Sequence, residues 1–121
     1  MDKKRVLVVD DDQDLLNMLK LRIESEGFEF MVAHDGEDML KVIKLKRPDA
    51  IVLDIMLPKM DGYTALREMR NQDEFKDIPV IILTAKEKKR LGDLFALEGI
   101  AHFVEKPYNT NDLMQKIRSV F

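Results

Sequence analysis

The stretch Pro48-Asp49-Ala50-Ile51-Val52-Leu53-Asp54 decides the fold, because four apolar residues run directly into one carboxylate. An unbroken apolar run between turn residues is typical of a strand that is buried on both faces of a sheet. Asp54 stands at the C-terminal end of this run, and open α/β sheets bind their ligands at the carboxyl ends of their strands. The stretch therefore predicts a buried parallel strand that ends in a functional carboxylate.

Length and composition indicate one small globular domain. The chain has 121 residues, which is enough for a core of its own, and no cysteine, which excludes a disulfide framework and a thiolate metal site. Its net charge of −3 does not favour binding to nucleic acid or to an anionic membrane. No apolar run approaches the roughly 18 residues of a membrane span, and the charged N-terminus has no signal-peptide core behind it. We therefore expect a cytoplasmic protein without a membrane contact.

Apolar runs alternate with helical patterns along the whole chain. The runs predict strands at residues 5–9, 28–33, 50–54, 78–83 and 100–104. Apolar positions with helical spacing predict helices near 13–26, 36–47, 62–71, 91–98 and after Asn109. Asp35 and Asn109 are suited to cap helices, and Gly27 is suited to end the first one. This alternation predicts an α/β domain with a parallel sheet that is covered on both faces.

Polar groups follow four of the five predicted strands: Asp10-Asp11, Asp54, Thr84 and Lys106. If the first and third strands are neighbours, their ends lie roughly 5 Å apart and three carboxylates converge. Crowded carboxylates either raise one pKa or recruit a cation, and their hard oxygen atoms suit Mg²⁺. A carboxylate nucleophile, a divalent metal, an ammonium and a hydroxyl around one point are the groups that phosphoryl transfer to an aspartate requires.

With these residues in place, the whole sequence resembles the receiver domain of bacterial two-component response regulators. The matching motifs are Val8-Val9-Asp10-Asp11, Leu53-Asp54-Ile55-Met56-Leu57-Pro58, Met60-Asp61-Gly62, Leu83-Thr84-Ala85 and Lys106-Pro107. The resemblance implies a flavodoxin-like, doubly wound (βα)5 fold with strand order 2-1-3-4-5. It also implies a single receiver domain over residues 1–121, with no output domain in the chain.

The resemblance assigns a role to each matching residue. Asp54 is the expected phosphoacceptor, and Lys106 is the lysine expected to neutralise the phosphoryl group. The expected ligands of Mg²⁺ or Mn²⁺ are Asp10, Asp11, Asp54 and the backbone carbonyl of Met56. The expected switch residues are Thr84 and Phe103, and Pro107 is expected to follow a cis peptide bond. Such a domain is a phosphoacceptor switch and not an enzyme with turnover on a separate substrate.

The resemblance also implies partners. The phosphoryl group would come from a histidine kinase or a histidine phosphotransfer protein, and a downstream protein would bind the face of the fourth helix, fifth strand and fifth helix. We expect a monomer or a weak, phosphorylation-dependent dimer. Receivers of winged-helix transcription factors usually carry two acids after the Gly-Ala before the fifth strand, and Gly99-Ile100-Ala101-His102 lacks them, which disfavours that dimer.

Two positions bear on how long the phosphoryl group would persist. Met56 and Lys86, each two residues after a site residue, would flank the path of an attacking water. A thioether is a weak acceptor and an ammonium has no acceptor, so neither would hold that water in line. The sequence therefore predicts slow loss of the phosphoryl group.

Several alternatives remain at this point. The chain can be a receiver cut from a longer regulator with a DNA-binding or enzymatic output. A flavin or nucleotide binder of the same fold would need a phosphate-binding loop, and Asp10-Asp11-Asp12-Gln13-Asp14 would repel phosphate. Asp10 and Asp12 share the spacing of aspartyl-phosphatases of the haloacid dehalogenase type, but these enzymes carry the nucleophile after the first strand. For Phe103 the competing interpretation is a core side chain, and we expect no functional role for His34 or His102.

Overall fold

The computed structural model describes residues 3–54, 62–84, 100–106 and 108–121, with the backbone alone at Thr84. The strands are β1 (Arg5–Val9), β2 (Glu29–Ala33), β3 (Ala50–Asp54), β4 (Val80–Thr84) and β5 (His102–Glu105). The helices are α1 (Gln13–Ser25), α2 (Gly36–Leu45), α3 (Gly62–Arg70) and a C-terminal helix (Thr110–Ser119). The helix that the sequence predicts near 91–98 lies outside the described residues. Of the helices in the described segments, none has the length and apolar content of a membrane span.

All five strands are parallel and lie in the order β2-β1-β3-β4-β5. This confirms the predicted flavodoxin-like, doubly wound fold and its strand order 2-1-3-4-5. In β1 the four apolar residues from Val6 to Val9 are buried, and in β3 every residue is buried, as the unbroken apolar runs predict. Val9 pairs with Leu53, so the residues that follow them leave the sheet side by side at its carboxyl edge.

Two apolar layers enclose the sheet. On one face, α2 and α3 bury Met39, Ile43, Leu66 and Met69 against strand residues such as Leu7. On the other face, α1 and the C-terminal helix bury their own apolar stripes against the sheet: Leu16, Leu19, Ile23, Leu113, Met114 and Ile117. Each buried aliphatic side chain of this size contributes about 1.5–3 kcal/mol relative to an exposed one, so this packing holds the strand ends in place.

Local capping residues begin the helices where the sequence predicts. The side chains of Asp12, Asp35 and Asn109 each accept a backbone N–H from the first turn of the following helix. Asp12 caps α1 by accepting from the N–H groups of Asp14 and Leu15.

The end of α1 is a Schellman turn around a glycine. Gly27 has a φ of +90°, and its N–H donates to the carbonyl of Glu24 while the N–H of Phe28 donates to that of Ile23. Because the Phe28 N–H closes the helix, β2 begins at Glu29, one residue later than predicted.

Two further strands start later than the sequence predicts, and each ends one residue later, at Thr84 and at Glu105. β4 begins at Val80, because Pro79 has no N–H to donate and the N–H of Ile78 donates to the carbonyl of Phe75 in the preceding turn. β5 begins at His102, which pairs with Ile81, and the N–H of Ala101 just before the strand donates to the carbonyl of Val80 at 3.0 Å.

The end of α3 also differs from the prediction. α3 ends at Arg70, and not at Asn71 as predicted. In the C-terminal helix, Met114 is buried in the core, and Val120 at the C-cap is partly buried.

Candidate functional site

Three carboxylates converge at the carboxyl edge of the sheet. Asp10 follows β1, donates its N–H to the carbonyl of Ala33 at 3.1 Å and is fully buried. Asp54 ends β3 with 6% of its surface exposed, whereas Asp11 lies at the surface. One carboxylate oxygen from each residue lies within 4.8 Å of the other two. The convergence that the strand ends predict is therefore confirmed.

Lys106 joins this cluster from the other end of the sheet. It follows β5, and its Nζ atom lies 2.9 Å from Asp54 Oδ2 and 3.1 Å from Asp10 Oδ2. The lysine side chain is 27% exposed, so the ammonium is partly withdrawn from water. One cation therefore bridges two buried carboxylates on neighbouring strands.

The electrostatics of Asp10 and Lys106 follow from this bridge. Burial raises the pKa of Asp10, and the charge of Asp54 adds to this effect; the Asp12 N–H at 3.0 Å and Lys106 oppose it without cancelling it. Burial alone would lower the pKa of Lys106, but its hydrogen bond to Asp54 and the charges of both carboxylates outweigh burial and raise it. The ammonium of Lys106 therefore stays charged. For Asp10, burial makes the charged form less favourable than it would be in water.

The oxygen donors of the cluster fit a hard divalent cation. Asp10 and Asp11 follow β1 and Asp54 ends β3, so their carboxylates approach one point from two adjacent strands. Mg²⁺ is bound by one or two carboxylates and keeps several waters, which suits an open arrangement with one exposed ligand. Met56, the expected carbonyl ligand, lies outside the described residues.

Of the remaining predicted site residues, only Thr84 and Phe103 fall within the described segments. Thr84 ends β4 and pairs with Glu105, one rung beyond the pair Asp54–Leu83; its side chain lies outside the described part of the chain. Phe103 in β5 is partly buried and packs against the core layer of α2 and α3. Lys86 and Pro107 lie outside the described residues.

Each of the two histidines has a side-chain contact in the described segments. His102 Nε2 lies 2.9 Å from Ser119 Oγ on the C-terminal helix. His34 Nδ1 lies 3.5 Å from a carboxylate oxygen of Asp38 in the first turn of α2.

Sequence reasoning missed Tyr108, which stands two residues after Lys106. Its ring packs against the core layer of α1 and the C-terminal helix, and its hydroxyl is buried. An aromatic residue so close to a functional lysine is the signal that would have pointed to it.

The family comparison now decides the identity of the domain. The family model "Response regulator receiver domain" matches residues 6–118. The chain belongs to this family. The receiver-domain interpretation of the sequence motifs is thereby confirmed, and the protein is a receiver domain of the two-component response regulators.

Curated relatives are longer response regulators. The chain is 39% identical over 125 residues to "Probable transcriptional regulator ycf27" of Cyanophora paradoxa, covering 99% of this chain and 49% of that protein. It is 33% identical over 118 residues to "Alkaline phosphatase synthesis transcriptional regulatory protein PhoP" of Bacillus subtilis, covering 97% of this chain and 48% of that protein. The receiver domain described here thus spans about half the length of the curated relatives it matches.

Solved structures include single receivers of the same size. The chemotaxis response regulator CheY4 of Vibrio cholerae superposes with a TM-score of 0.91 at 26% identity, covering 99% of this chain and 100% of that chain. Response regulator protein TrrA from Thermotoga maritima, solved in complex with Mg²⁺ and BeF, gives a TM-score of 0.84 at 32% identity, covering 98% of this chain and 99% of that chain. The acidic cluster of Asp10, Asp11 and Asp54 accordingly fits the Mg²⁺ binding that is typical of receiver domains.

Proposed function

We propose that Asp54 accepts a phosphoryl group from the phosphohistidine of a histidine kinase or of a histidine phosphotransfer protein. The observation that supports this most strongly is the placement of Asp54. It is nearly buried, it is open to the carboxyl edge of the sheet, and Lys106 Nζ lies 2.9 Å from one of its oxygens. A buried carboxylate held by an ammonium beside two further carboxylates is prepared to attack a phosphorus atom whose charge the same ammonium neutralises.

The neighbouring residues have complementary tasks in this proposal. Asp10 and Asp11, with the carbonyl of Met56, would hold Mg²⁺ or Mn²⁺, which when bound neutralises phosphoryl oxygens. Lys106 moves its hydrogen bond from the Asp54 carboxylate to a phosphoryl oxygen and stays protonated throughout, consistent with its raised pKa. The Thr84 hydroxyl donates a hydrogen bond to another phosphoryl oxygen.

The proposed output is a change in protein binding, so the domain acts as a switch and not as an enzyme. Phosphorylation biases two conformations of the domain, and Thr84 and Phe103 connect the site to the face of the helix near 91–98, β5 and the C-terminal helix. Phe103 lacks the hydroxyl of tyrosine, so an outward rotamer would expose apolar surface without a polar tip. Its partly buried position against the core supports a preference for the inward rotamer in the unphosphorylated domain.

The experiment that tests this function is phosphorylation of purified variants with acetyl phosphate and Mg²⁺. Asp54→Asn keeps the shape of the side chain but removes the nucleophile, so its intact mass should not increase by a phosphoryl group. Asp14→Asn is the matched control, because Asp14 is an exposed aspartate in the first turn of α1. Labelling of the control together with no labelling of Asp54→Asn supports the proposal, and equal labelling of both contradicts it.

A second candidate is that this receiver belongs to a longer regulator. The observation that favours it is the length of the curated relatives, of which the chain spans about half. The mass of the endogenous polypeptide, detected with an antibody against this domain, distinguishes a single receiver of 121 residues from a regulator with an output domain.

A further inference from the structure

Tyr108 lines two grooves, one beside the carboxylate cluster and one on the face of β5 and the C-terminal helix. The first groove has a volume of about 410 Å³, and its described lining residues include Asp12 and Lys106. The second has a volume of about 350 Å³, and its described lining residues include Phe103 of β5 and Asp112 of the C-terminal helix. A single side chain therefore borders both the proposed phosphoryl site and the face proposed for output.

The hydroxyl of Tyr108 lies in an unfavourable position. It is buried and has no hydrogen-bond partner among the described residues, although buried polar groups are nearly always satisfied. Burial, together with the charges of Asp10 and Asp12, raises the pKa of Tyr108, so the phenol stays neutral, yet neither carboxylate accepts a hydrogen bond from it. An unmet buried donor destabilises the conformation that buries it. The unphosphorylated domain is therefore less stable than it would be without this hydroxyl.

Lys106 anchors the segment that places Tyr108 in this position. Its Nζ atom lies 2.9 Å from Asp54 Oδ2 and 3.1 Å from Asp10 Oδ2, and only one residue separates Lys106 from Tyr108. In the proposed reaction, the ammonium moves its hydrogen bond from the Asp54 carboxylate to a phosphoryl oxygen. A change in the position of this anchor reaches Tyr108 through two residues of backbone.

The second groove offers the acceptors that the buried position lacks. Its described lining residues include Glu105, which is exposed at the end of β5, and Asp112, whose side chain is half exposed. Asp112 already accepts from Lys116 Nζ at 2.7 Å, but a carboxylate has about four acceptor sites and can accept a phenol as well. A Tyr108 hydroxyl that turned into this groove would therefore meet both carboxylate acceptors and water.

We propose that Tyr108 is an additional switch residue, whose hydroxyl is buried in the unphosphorylated domain and moves into the groove of β5 and the C-terminal helix when Asp54 is phosphorylated. The unmet hydroxyl raises the free energy of the unphosphorylated conformation alone, so it favours the phosphorylated one. Because the ring then fills a groove that Phe103 also lines, its position changes the surface that a downstream protein meets. This inference rests on the proposed function of Asp54 and extends it to the output face.

The composition of the chain allows the position of Tyr108 to be observed directly. The chain has two tyrosines and no tryptophan, so Tyr63→Phe leaves Tyr108 as the single source of tyrosine fluorescence. Acrylamide quenches this fluorescence more strongly when the ring is more accessible to solvent. We expect the quenching constant to rise with Mg²⁺ and beryllofluoride, which takes the place of a phosphoryl group, and not with Mg²⁺ alone. Asp54→Asn in the same background is the control and should show no rise.

Tyr108→Phe removes only the hydroxyl and should therefore favour the unphosphorylated conformation. Without metal, its melting temperature should rise by about 4 °C, because an unmet buried donor is gone. With saturating Mg²⁺, its half-saturating concentration of beryllofluoride, followed by fluorine NMR, should rise about five-fold, which corresponds to the effect of one hydrogen bond. Tyr63→Phe is the matched control and should show neither rise, because Tyr63 is partly buried on α3 and is not among the described lining residues of either groove.

Two results would overturn the inference while leaving the proposed function intact. In the first, beryllofluoride binds to the protein, but the quenching constant of Tyr108 does not change. In the second, Tyr108→Phe melts no higher than wild type or binds beryllofluoride as tightly as wild type, which would show that the hydroxyl does not bias the two conformations. If the wild type binds no beryllofluoride, as is expected of Asp54→Asn, the proposed function fails and this inference fails with it.

Discussion

Replacing Lys106 by methionine should destabilise the metal-free domain strongly at neutral pH. The substitution keeps an unbranched apolar stem and removes the ammonium that contacts Asp54 at 2.9 Å and Asp10 at 3.1 Å. Breaking a buried ion pair by removing one partner costs about 3–5 kcal/mol, because the remaining charges stay buried and uncompensated. We expect the lower end of that range, about 3 kcal/mol at pH 7, because Asp10 can take up a proton instead.

The same variant should recover stability as the pH falls. The pKa of Asp10 is already raised by burial and by Asp54, and loss of Lys106 raises it further. A carboxyl whose pKa is higher in the folded state than in the unfolded state favours folding at low pH and loses that contribution as the pH rises through its folded pKa. One such group changes the free energy of unfolding by at most about 1.4 kcal/mol per pH unit. The deficit relative to wild type should therefore be smaller at pH 5 than at pH 7.

Urea denaturation of wild type and Lys106→Met, with a chelator present, measures the loss of stability at pH 7 and its decrease at pH 5. Lys116→Met is the matched control, since Lys116 pairs at 2.7 Å with Asp112, which is half exposed on the same helix. A pair of this kind contributes less than about 0.5 kcal/mol. A Lys106→Met variant as stable as wild type at pH 7, or a deficit that does not shrink at pH 5, would refute the account of the site's electrostatics.

Three further predictions concern the metal, the fold and the signal lifetime. Asp11→Ala should abolish the Mg²⁺-dependent rise in melting temperature. Without metal, this variant should be slightly more stable than wild type, because one of three crowded charges is gone. A metal-free variant that melts well below wild type would contradict this. Gly27→Ala should lose about 1 kcal/mol of stability in urea denaturation, because only the φ of +90° opposes a side chain where no atom lies within 4 Å; an unchanged midpoint would show that the turn relaxes freely. Replacing Met56 by Asn together with Lys86 by Glu should speed loss of the phosphoryl group about ten-fold, if orienting one water is worth about 1.4 kcal/mol; equal decay time courses for wild type and the double variant would refute the predicted slow decay.

The elements of this fold are predictable because their signals are local. The apolar runs that become β1 and β3 are continuous, and Asp12 and Asn109 cap helices through bonds to N–H groups two or three residues away. The Gly27 turn likewise depends on contacts within α1 and the residue after it. Residue type and spacing alone are sufficient for such features.

Strand starts and the burial of Tyr108 depend on contacts that local patterns do not contain. The start of β5 is set by its pairing with β4, and β4 starts late because Pro79 cannot donate. Tyr108 packs against the core layer of α1, which precedes it by more than 80 positions in the sequence. Likewise, the strand ends predict that Lys106 approaches Asp54, but the simultaneous contact with Asp10 follows from the packed sheet.

The measurement that tests the central claim most directly is the position of the phosphoryl group in the wild-type protein. After labelling with acetyl phosphate and Mg²⁺, the acyl phosphate is reduced with borohydride, and the modified residue is located by peptide mass spectrometry. A receiver with the geometry described here should carry the modification at Asp54. Modification at Asp10 instead, as expected of an aspartyl-phosphatase of the haloacid dehalogenase type, would contradict the proposed function.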